Sequence, residues 1–448
     1  MVKSLKCLNC GADLLFNPTI QKWKCEWCDS EYEKKDLDAA NINVSEESAS
    51  VQSESGPSQI YADADVCIYA CSYCGAEVLT DNVTSAAFCV YCQRPVVMTS
   101  QLSGEFKPSV IIPFHNTKEQ ALNLFKNYLK GKRFLPNEYK SDQNIEKLTG
   151  VYLPFWLYDG DVSFTVHGEG DIVSTRRSGD YVIKRTDVYS VSREGQIKID
   201  NIPVDASKRT PDDIMDSIEP FNFAELSEFS THYLSGFLAE RYDEDKETLY
   251  QRAKTRFEGS AENTVRRSLS KYSSVRRQVD KKRVDNVSSK YGLLPVWLLF
   301  SKYKEKPYTY AANGQTDKIT GNLPIDAGKV FTFFLIMLAI FAAVGAVLNV
   351  AYQLIVFDDG VYIDSESGFV IWVVVAGLLG AIISTLLEWR KHKPVKKATN
   401  ADYYVKEENV NMSLIQDVYL RSHETRTKTS SQSSGGKGGR SSGGRSRR

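Results

Sequence analysis

Two long apolar stretches near the C-terminal end dominate the hydropathy pattern of the chain. Residues 330–350 and 369–387 contain no charged side chain, and about 20 apolar residues are enough for a helix to cross a bilayer. Gly345, Gly377 and Gly380 lie within these stretches and allow close helix packing. The pattern predicts a two-helix transmembrane hairpin, with buried helices of a soluble core as the alternative.

The segments that flank these stretches differ in charge. The loop between them, residues 351–368, carries acidic side chains and no lysine or arginine, whereas residues 390–397 are rich in lysine and arginine. Basic residues favour the cytoplasmic side of a membrane. We therefore expect a multi-pass protein of the cell membrane with both termini in the cytoplasm, an extracytoplasmic acidic loop at 351–368 and a cytoplasmic juxtamembrane segment at 388–423.

Upstream of the apolar stretches, the periodicity predicts a mixed domain. Residues 106–115 are typical of a strand, and residues 118–130 carry apolar side chains at helical spacing after the capping residue Thr117. The string Leu-Pro-x-Trp-Leu occurs at 153–157 and at 294–298, each time between helical and strand-like sequence. These features predict a cytoplasmic α+β domain over residues 106–321 with an internal duplication. Proline favours strand starts or edge strands, so we expect both motifs there.

All nine cysteines lie before residue 93, and eight of them form four CxxC pairs. Two pairs with fourteen intervening residues can supply four thiolates to one tetrahedral zinc ion. The same spacing occurs twice, which predicts two small β zinc ribbons, related by duplication, over residues 1–35 and 61–100. The expected ligands of these two structural Zn2+ ions are Cys7, Cys10, Cys25 and Cys28, and Cys71, Cys74, Cys89 and Cys92.

Other interpretations of the cysteines remain open. Four thiolates also bind iron in rubredoxin-like sites, and Cys67 is either an alternative ligand or a half-buried strand residue. A closed shell of four sulfur ligands leaves no position for substrate, so we expect structural rather than catalytic metal ions. Thiolate metal sites suit a reducing compartment, which agrees with the expected cytoplasmic location.

Charge and composition separate the remaining candidate functions. Residues 1–36 have six acidic and six basic residues, and residues 66–98 are slightly acidic, which argues against phosphate binding by either ribbon. Trp23 and Trp27 are more typical of a ribbon core or a protein contact than of base stacking. Residues 252–283 contain eleven basic and three acidic residues, so they form either a solvated face or a surface for anionic headgroups. Residues 36–60 resemble a flexible linker, and residues 424–448 a disordered Gly/Ser/Arg-rich tail.

No catalytic motif stands out. His115, His167 and His232 have no metal-ligand spacing and are expected to be hydrogen-bonded structural residues. The sequence contains no phosphate loop, nucleophile elbow or paired-carboxylate signature. We therefore expect no enzyme activity, with a membrane enzyme of unknown chemistry as a second alternative.

Several strings together resemble a known group: CSYCGAEVLTD, FCVYCQRPVV, IIPF, GVYLPFWLYD, YGLLPVWLLF and AANGQT. They are similar to bacterial TFIIB-type zinc-ribbon-containing membrane proteins, some of which are labelled primosomal protein N′ or replication-restart helicase-like. The resemblance implies an anchor in an envelope-stress response, with SPFH-domain or phage-shock-protein-A-like partners and no catalytic residue. The leading hypothesis is a zinc-binding scaffold that recruits cytoplasmic proteins to the bilayer. A membrane-tethered nucleic-acid-binding factor in replication or transcription is the alternative.

Overall fold

The computed structural model describes residues 2–3, 5–39, 66–70, 77–81, 83–88, 95–98, 102, 104–141, 145–304, 306–358, 366–392 and 397–428. The strands are β1 (Val2–Lys3), β2 (Leu14–Asn17), β3 (Lys22–Cys25), β4 (Glu31–Tyr32), β5 (Val66–Ala70), β6 (Glu77–Asp81), β7 (Thr84–Phe88), β8 (Pro95–Met98), β9 (Val110–Ile111), β10 (Thr149–Ser178), β11 (Tyr181–Asp205), β12 (Ser227–Glu228), β13 (Leu238–Glu240), β14 (Ser274–Tyr303), β15 (Lys306–Asn313), β16 (Ile319–Gly321) and β17 (Val410–Lys428). The α-helices with defined bounds are α1 (Lys118–Leu129), α2 (Asp212–Ser217), α3 (Lys246–Ser268), α4 (Ala327–Asp358) and α5 (Glu366–Arg390).

Contacts divide the chain into two units. The first comprises Met1–Gly160, Ile199–Arg256 and Asn286–Tyr404, and the second Asp161–Lys198, Phe257–Asp285 and Val405–Arg448. The long elements β10, β11, β14 and α3 each contribute residues to both units. The region predicted as an α+β domain is indeed built from helices and sheets, but each unit also includes segments from outside residues 106–321.

The core of the first unit lies on two neighbouring strands that carry the repeated motif. In the sheet the order is β13-β10-β14-β15-β16. Alternate apolar side chains of β10 and β14 are buried against Ile214, Met215 and Ile218 of α2 and its C-cap. Alternation of this kind is the period of a strand, in which every second side chain points to the same face. Burial of this face supplies hydrophobic stabilisation to the unit.

The expectation that the motif prolines lie at strand starts or in edge strands is wrong, because β10 and β14 are interior strands. Pro154 follows the residues of β10 that pair with β13, at Val151 and Tyr152. Pro295 lies between the residues of β14 that pair with β9 and those that pair with β15. A proline has no N–H to donate, and both positions lie where one ladder has ended. Their carbonyl groups accept hydrogen bonds from Ala206 and Gly314 at 3.0 and 2.8 Å.

Aromatic side chains form a second cluster in the first unit. The Phe114 ring is stacked on Phe237 at 4.1 Å between centroids and makes edge contacts with Tyr152 and Trp297. Gly314 approaches this cluster so closely that a Cβ atom would lie 2.6 Å from the Phe114 ring. The AANGQT string therefore has a structural role here, since only glycine fits against the ring.

The N-terminal elements of the predicted α+β domain agree with the pattern only in part. Helix α1 begins after Thr117, whose hydroxyl accepts from the Gln120 N–H in a capping box, as expected. The strand predicted over residues 106–115 is confined to Val110–Ile111. Prolines at 108 and 113 remove N–H donors on both sides of this short strand, which explains its length.

The second unit contains a long antiparallel ladder. Strand β17 pairs with β11 from Val410–Ile197 to Lys428–Tyr181. The juxtamembrane segment predicted over 388–423 therefore contains part of a sheet strand, which continues to Lys428, and residues 429–448 of the predicted tail lie outside the described residues. Helix residues Phe257, Ala261 and Val265 are fully buried at four-residue spacing, as for one face of a helix.

An ion pair joins three elements of the second unit. Arg193, which is 1% exposed, donates to both carboxylate oxygens of Asp417 at 2.8 and 3.2 Å. Lys271 contacts the same carboxylate at 2.8 Å. Burial raises the pKa of Asp417, but hydrogen bonds from Arg193 and Lys271 lower it to about 2. This pair ties β17 to β11 and to the segment after α3.

Helices α4 and α5 are long and apolar enough to cross a membrane, over Ala327–Leu348 and Val373–Arg390. A Cβ atom at Gly380 would lie 2.9 Å from the Phe341 ring, so glycine permits the close helix contact that the sequence predicts. The predicted loop at 351–368 is too long, because α4 continues to Asp358 and α5 begins at Glu366. Helical hydrogen bonding does not end where the apolar stretch ends.

Candidate metal centre

Four cysteine side chains meet at the N-terminal end of the chain. The sulfur atoms of Cys7, Cys10, Cys25 and Cys28 all lie within 4.8 Å of one another, and this group could hold one metal ion. The Cys7–Cys28 and Cys10–Cys25 sulfur distances are 3.6 and 3.5 Å. A tetrahedral site with metal–sulfur bonds of about 2.3 Å has edges of about 3.8 Å. Disulfide sulfurs lie about 2.05 Å apart, so the thiols are separate and fit the metal.

Two matching turns aim the sulfurs at one point. The Gly11 N–H donates to Cys7 O, and the Asp29 N–H donates to Cys25 O, both at 2.9 Å. The residue after each CxxC has a left-handed backbone, with φ of 75° at Gly11 and 57° at Asp29. Glycine was expected at the first turn, whereas aspartate is among the few other residues that adopt this conformation readily.

The surroundings of the sulfurs change the pKa of Cys7 and that of Cys10 in opposite directions. Burial raises the pKa of the Cys7 thiol, but hydrogen bonds from the Tyr32 hydroxyl and from backbone groups lower it to about 6. The backbone of Ala12 lowers the pKa of Cys10, yet burial and the neighbouring cysteines raise it to about 12. Four thiolates repel one another unless a cation lies between them. This donor set therefore fits a divalent metal ion.

Sequence reasoning missed two side chains beside the metal centre. The Tyr32 hydroxyl lies 3.4 Å from Cys7 Sγ, and the Ser30 hydroxyl lies 3.2 Å from Cys28 Sγ. Both follow the second CxxC within four positions, and that proximity was the available signal. Such partners orient metal ligands and tune their basicity.

The three-stranded sheet β2-β3-β4 of this module packs against other segments of the first unit. The Trp23 indole donates to the His232 carbonyl at 2.8 Å, and the ring lies 5.0 Å from Tyr233. The Phe16 N–H donates to Ser235 O at 3.1 Å, and the Gln21 amide donates to Phe114 O at 2.8 Å. Trp23 is only 1% exposed. The module is thus a packed part of the first unit.

The turns that carry the cysteines point their tips outward. Trp27 lies between Cys25 and Cys28 and is 84% exposed, and Leu8 lies between Cys7 and Cys10 and is 55% exposed. The two tryptophans of the module thus have opposite environments, four residues apart.

The comparisons with known proteins identify a family. No protein-family model and no solved structure matches the chain. "Uncharacterized protein YdjG" from Bacillus subtilis (strain 168) is 32% identical over 334 residues, which is 75% of this chain and 94% of the relative. The chain belongs to the YdjG family. Since nearly all of YdjG aligns, the likeness extends well beyond a single cysteine module.

The second predicted cysteine set cannot be compared with the first in this member of the YdjG family. Cys71, Cys74, Cys89 and Cys92 lie outside the described residues. The strands around them are described: β5 pairs with β6, and β7 pairs with β8 and with β13. Cys67 belongs to β5, opposite Thr80, as expected for a strand residue.

The three histidines have separate partners. His115 Nε2 lies 2.8 Å from Glu225, and His167 Nδ1 lies 3.0 Å from the Ser192 hydroxyl. His232 Nδ1 lies 3.6 Å from Asp38. In the described parts of the chain, the four cysteines form the one group with metal-binding geometry. Each of the three histidines thus has its own polar neighbour and stands apart from that group.

Ion pairs offset part of the positive charge of the basic segment 252–283. Seven of its eleven basic side chains contact carboxylates, many of them from distant parts of the chain: Arg252 with Asp212 and Asp216, Arg256 with Glu219, Lys271 with Asp417, Arg276 with Glu169, Arg277 and Lys282 with Glu262 and Asp280, and Arg283 with Asp285. The surface of this segment is therefore less cationic than its local composition indicates.

Proposed function

We propose that this protein is a membrane-anchored zinc adaptor that recruits cytoplasmic protein partners to the bilayer. The exposure of Trp27 carries the proposal. The module uses the face around Trp23 to pack on its own domain, whereas Trp27 and Leu8, in the two cysteine turns, remain exposed. Exposed aromatic and aliphatic anchors on a rigid frame are typical centres of protein interfaces.

The metal has a structural role in this proposal. We infer that zinc occupies the site at Cys7, Cys10, Cys25 and Cys28, and that a second zinc occupies the equivalent second set. Sulfur spacing near that of a tetrahedral thiolate site supports the first ion. The repeated cysteine spacing supports the second. Zinc then holds the turns that present Trp27 and Leu8.

Helices α4 and α5 serve as the anchor in this proposal. Their length and composition support membrane insertion. The acidic loop and the basic residues after α5 support cytoplasmic termini. The resemblance to TFIIB-type ribbon membrane proteins suggests SPFH-domain or phage-shock-protein-A-like partners in an envelope-stress response. The nucleic-acid alternative is weakened by the ion pairs of residues 252–283.

Crosslinked capture from native membranes tests the adaptor proposal. We expect wild-type protein to retain one or more cytoplasmic partners and Trp27→Ala to lose them, with membrane extraction and metal content unchanged. Phe300→Ala is the matched control, because Phe300 is also an exposed aromatic residue, 53% accessible, but lies in β14. It should retain every partner.

Two results would count against the adaptor. Identical partner sets for wild type and Trp27→Ala would remove the role of the exposed tip. Partners that disappear on nuclease treatment would favour the nucleic-acid alternative. Metal analysis of the purified chain should find two zinc ions, and iron at either site would contradict the proposed metal.

A further inference from the structure

The loop that follows α1 contacts the ends of both apolar helices. Lys329, in the first turn of α4, donates to Leu135 O at 2.6 Å, and Lys132 donates to Lys391 O, just beyond α5, at 3.0 Å. The fully buried Phe134 ring lies 5.5 Å from Phe333 of α4. The loop therefore lies at the start of α4 and the end of α5, which are the same end of the helix pair.

Four cationic side chains collect at this end of the helices: Lys132, Arg133, Lys140 and Lys329. We call them the helix-end basic cluster. Lys140 donates to the Lys132 carbonyl at 3.0 Å, which joins two of the cations through the backbone. Within the described ranges, none of the four forms an ion pair with a carboxylate. This differs from residues 252–283, where acidic partners are close.

The surroundings of the cluster disfavour positive charge in the absence of an anion. Burial lowers the pKa of Lys132. Burial and the nearby charge of Lys329 lower the pKa of Lys140. An opposite charge within a few ångströms reverses both effects, since it favours the charged form of lysine. The site is thus electrostatically suited to an anion.

The cluster also keeps donors available for such an anion. An ammonium group has three N–H donors, and Lys132 and Lys140 each use one in a hydrogen bond to a carbonyl. The Arg133 guanidinium lies 5.6 Å from the Phe333 ring and makes no hydrogen bond to a described residue. Lysine and arginine donors of this kind match the oxygens of a phosphate group.

We propose that the helix-end basic cluster binds the phosphate of anionic phospholipid headgroups. The site rests on the proposed membrane insertion, because the candidate spans begin at Ala327 and end at Arg390, level with the cluster. Headgroup phosphates lie at that level, next to the hydrocarbon core. Binding would fix the soluble part of the chain against an acidic membrane surface and favour membranes rich in anionic lipid.

Native mass spectrometry of the full chain tests this site. Protein released from mixed micelles with equal phosphatidylglycerol and phosphatidylcholine should retain phosphatidylglycerol preferentially. The double variant Lys132→Gln/Lys140→Gln should lose that preference by about 30-fold, as expected for two basic residues near a lipid surface. Lys132→Arg/Lys140→Arg keeps the charge and should keep most of the preference.

The matched control is Lys271→Gln/Arg283→Gln, which removes the same charge from residues paired with Asp417 and Asp285. It should behave as wild type, and an equal loss in both double variants would overturn the site. Competition by millimolar inorganic phosphate would reassign it to free phosphate. Release of the wild-type chain by alkaline carbonate would instead refute the membrane anchor, independently of the lipid preference.

Discussion

Substitution of the two tryptophans of the first cysteine module should have opposite consequences. Trp23 is 1% exposed, contacts the rings of Phe16 and Tyr233, and donates to the His232 carbonyl. Replacement of a buried tryptophan by alanine costs about 3–5 kcal/mol. Trp27 is 84% exposed, and surface substitutions usually change stability by no more than about 0.5 kcal/mol.

The loss of stability on replacing Trp23 has two parts that can be measured separately. Trp23→Phe keeps most of the aromatic packing but leaves the His232 carbonyl without its indole donor. A hydrogen bond of this kind contributes about 1 kcal/mol. Trp23→Phe should therefore be milder than Trp23→Ala, because most of the cost comes from the cavity and the lost burial.

The rate at which the full-length protein loses zinc to a chromophoric chelator measures how Trp23→Ala and Trp27→Ala each affect the stability of the module. The Cys89→Ser background restricts the signal to the first site. If opening of the module precedes metal loss, a cost of about 3 kcal/mol speeds release by about 100-fold, since about 1.4 kcal/mol corresponds to a tenfold change. Trp23→Ala should reach that acceleration, and Trp27→Ala should release zinc at the wild-type rate. Equal rates of zinc release for the two alanine variants would refute the claim that the module packs on the first unit through Trp23.

Three further predictions concern stability. Cys25→Ser should remove about half of the bound zinc in elemental analysis, because each module depends on its own ion. Arg256 and Glu219 are 1% and 2% exposed and form two hydrogen bonds. Arg256→Met alone should therefore cost about 3–5 kcal/mol, and the double variant with Glu219→Leu much less, in denaturation of the detergent-solubilised protein. The pKa of Asp417 in the folded protein is about 2, below the ordinary value of 3.8. The ionised carboxylate therefore contributes roughly 2 kcal/mol to the free energy of unfolding above about pH 4, and this contribution is lost as the pH falls through 2. Asp417→Asn should therefore melt below wild type at pH 6 and level with it near pH 2, and a gap unchanged by pH would contradict this.

Several features of the molecule follow from local pattern alone. The CxxC spacing determined the group at Cys7, Cys10, Cys25 and Cys28, because each turn closes through its own backbone hydrogen bonds. Charge-free composition determined the two long apolar helices. Thr117 predicted the start of α1, since a helix cap is satisfied within one turn of the chain. Each of these features is encoded within one short stretch of the chain, although the two cysteine turns still have to be brought together by the pairing of β2 with β3.

Tertiary structure alone decided which of these features are exposed or neutralised. Trp23 and Trp27 lie only four residues apart, and the contacts with Tyr233 and the His232 carbonyl, far along the chain, help to bury Trp23 but not Trp27. Residues 252–283 are strongly basic by count, yet carboxylates such as Glu169 and Asp417 pair with them from far along the chain. Burial and ion pairing depend on side chains that the fold brings together from distant parts of the chain, and a local sequence pattern does not predict such contacts. The chain therefore encodes its metal ligands and helices locally, while its exposed contact residues and its charged surfaces are set by long-range packing.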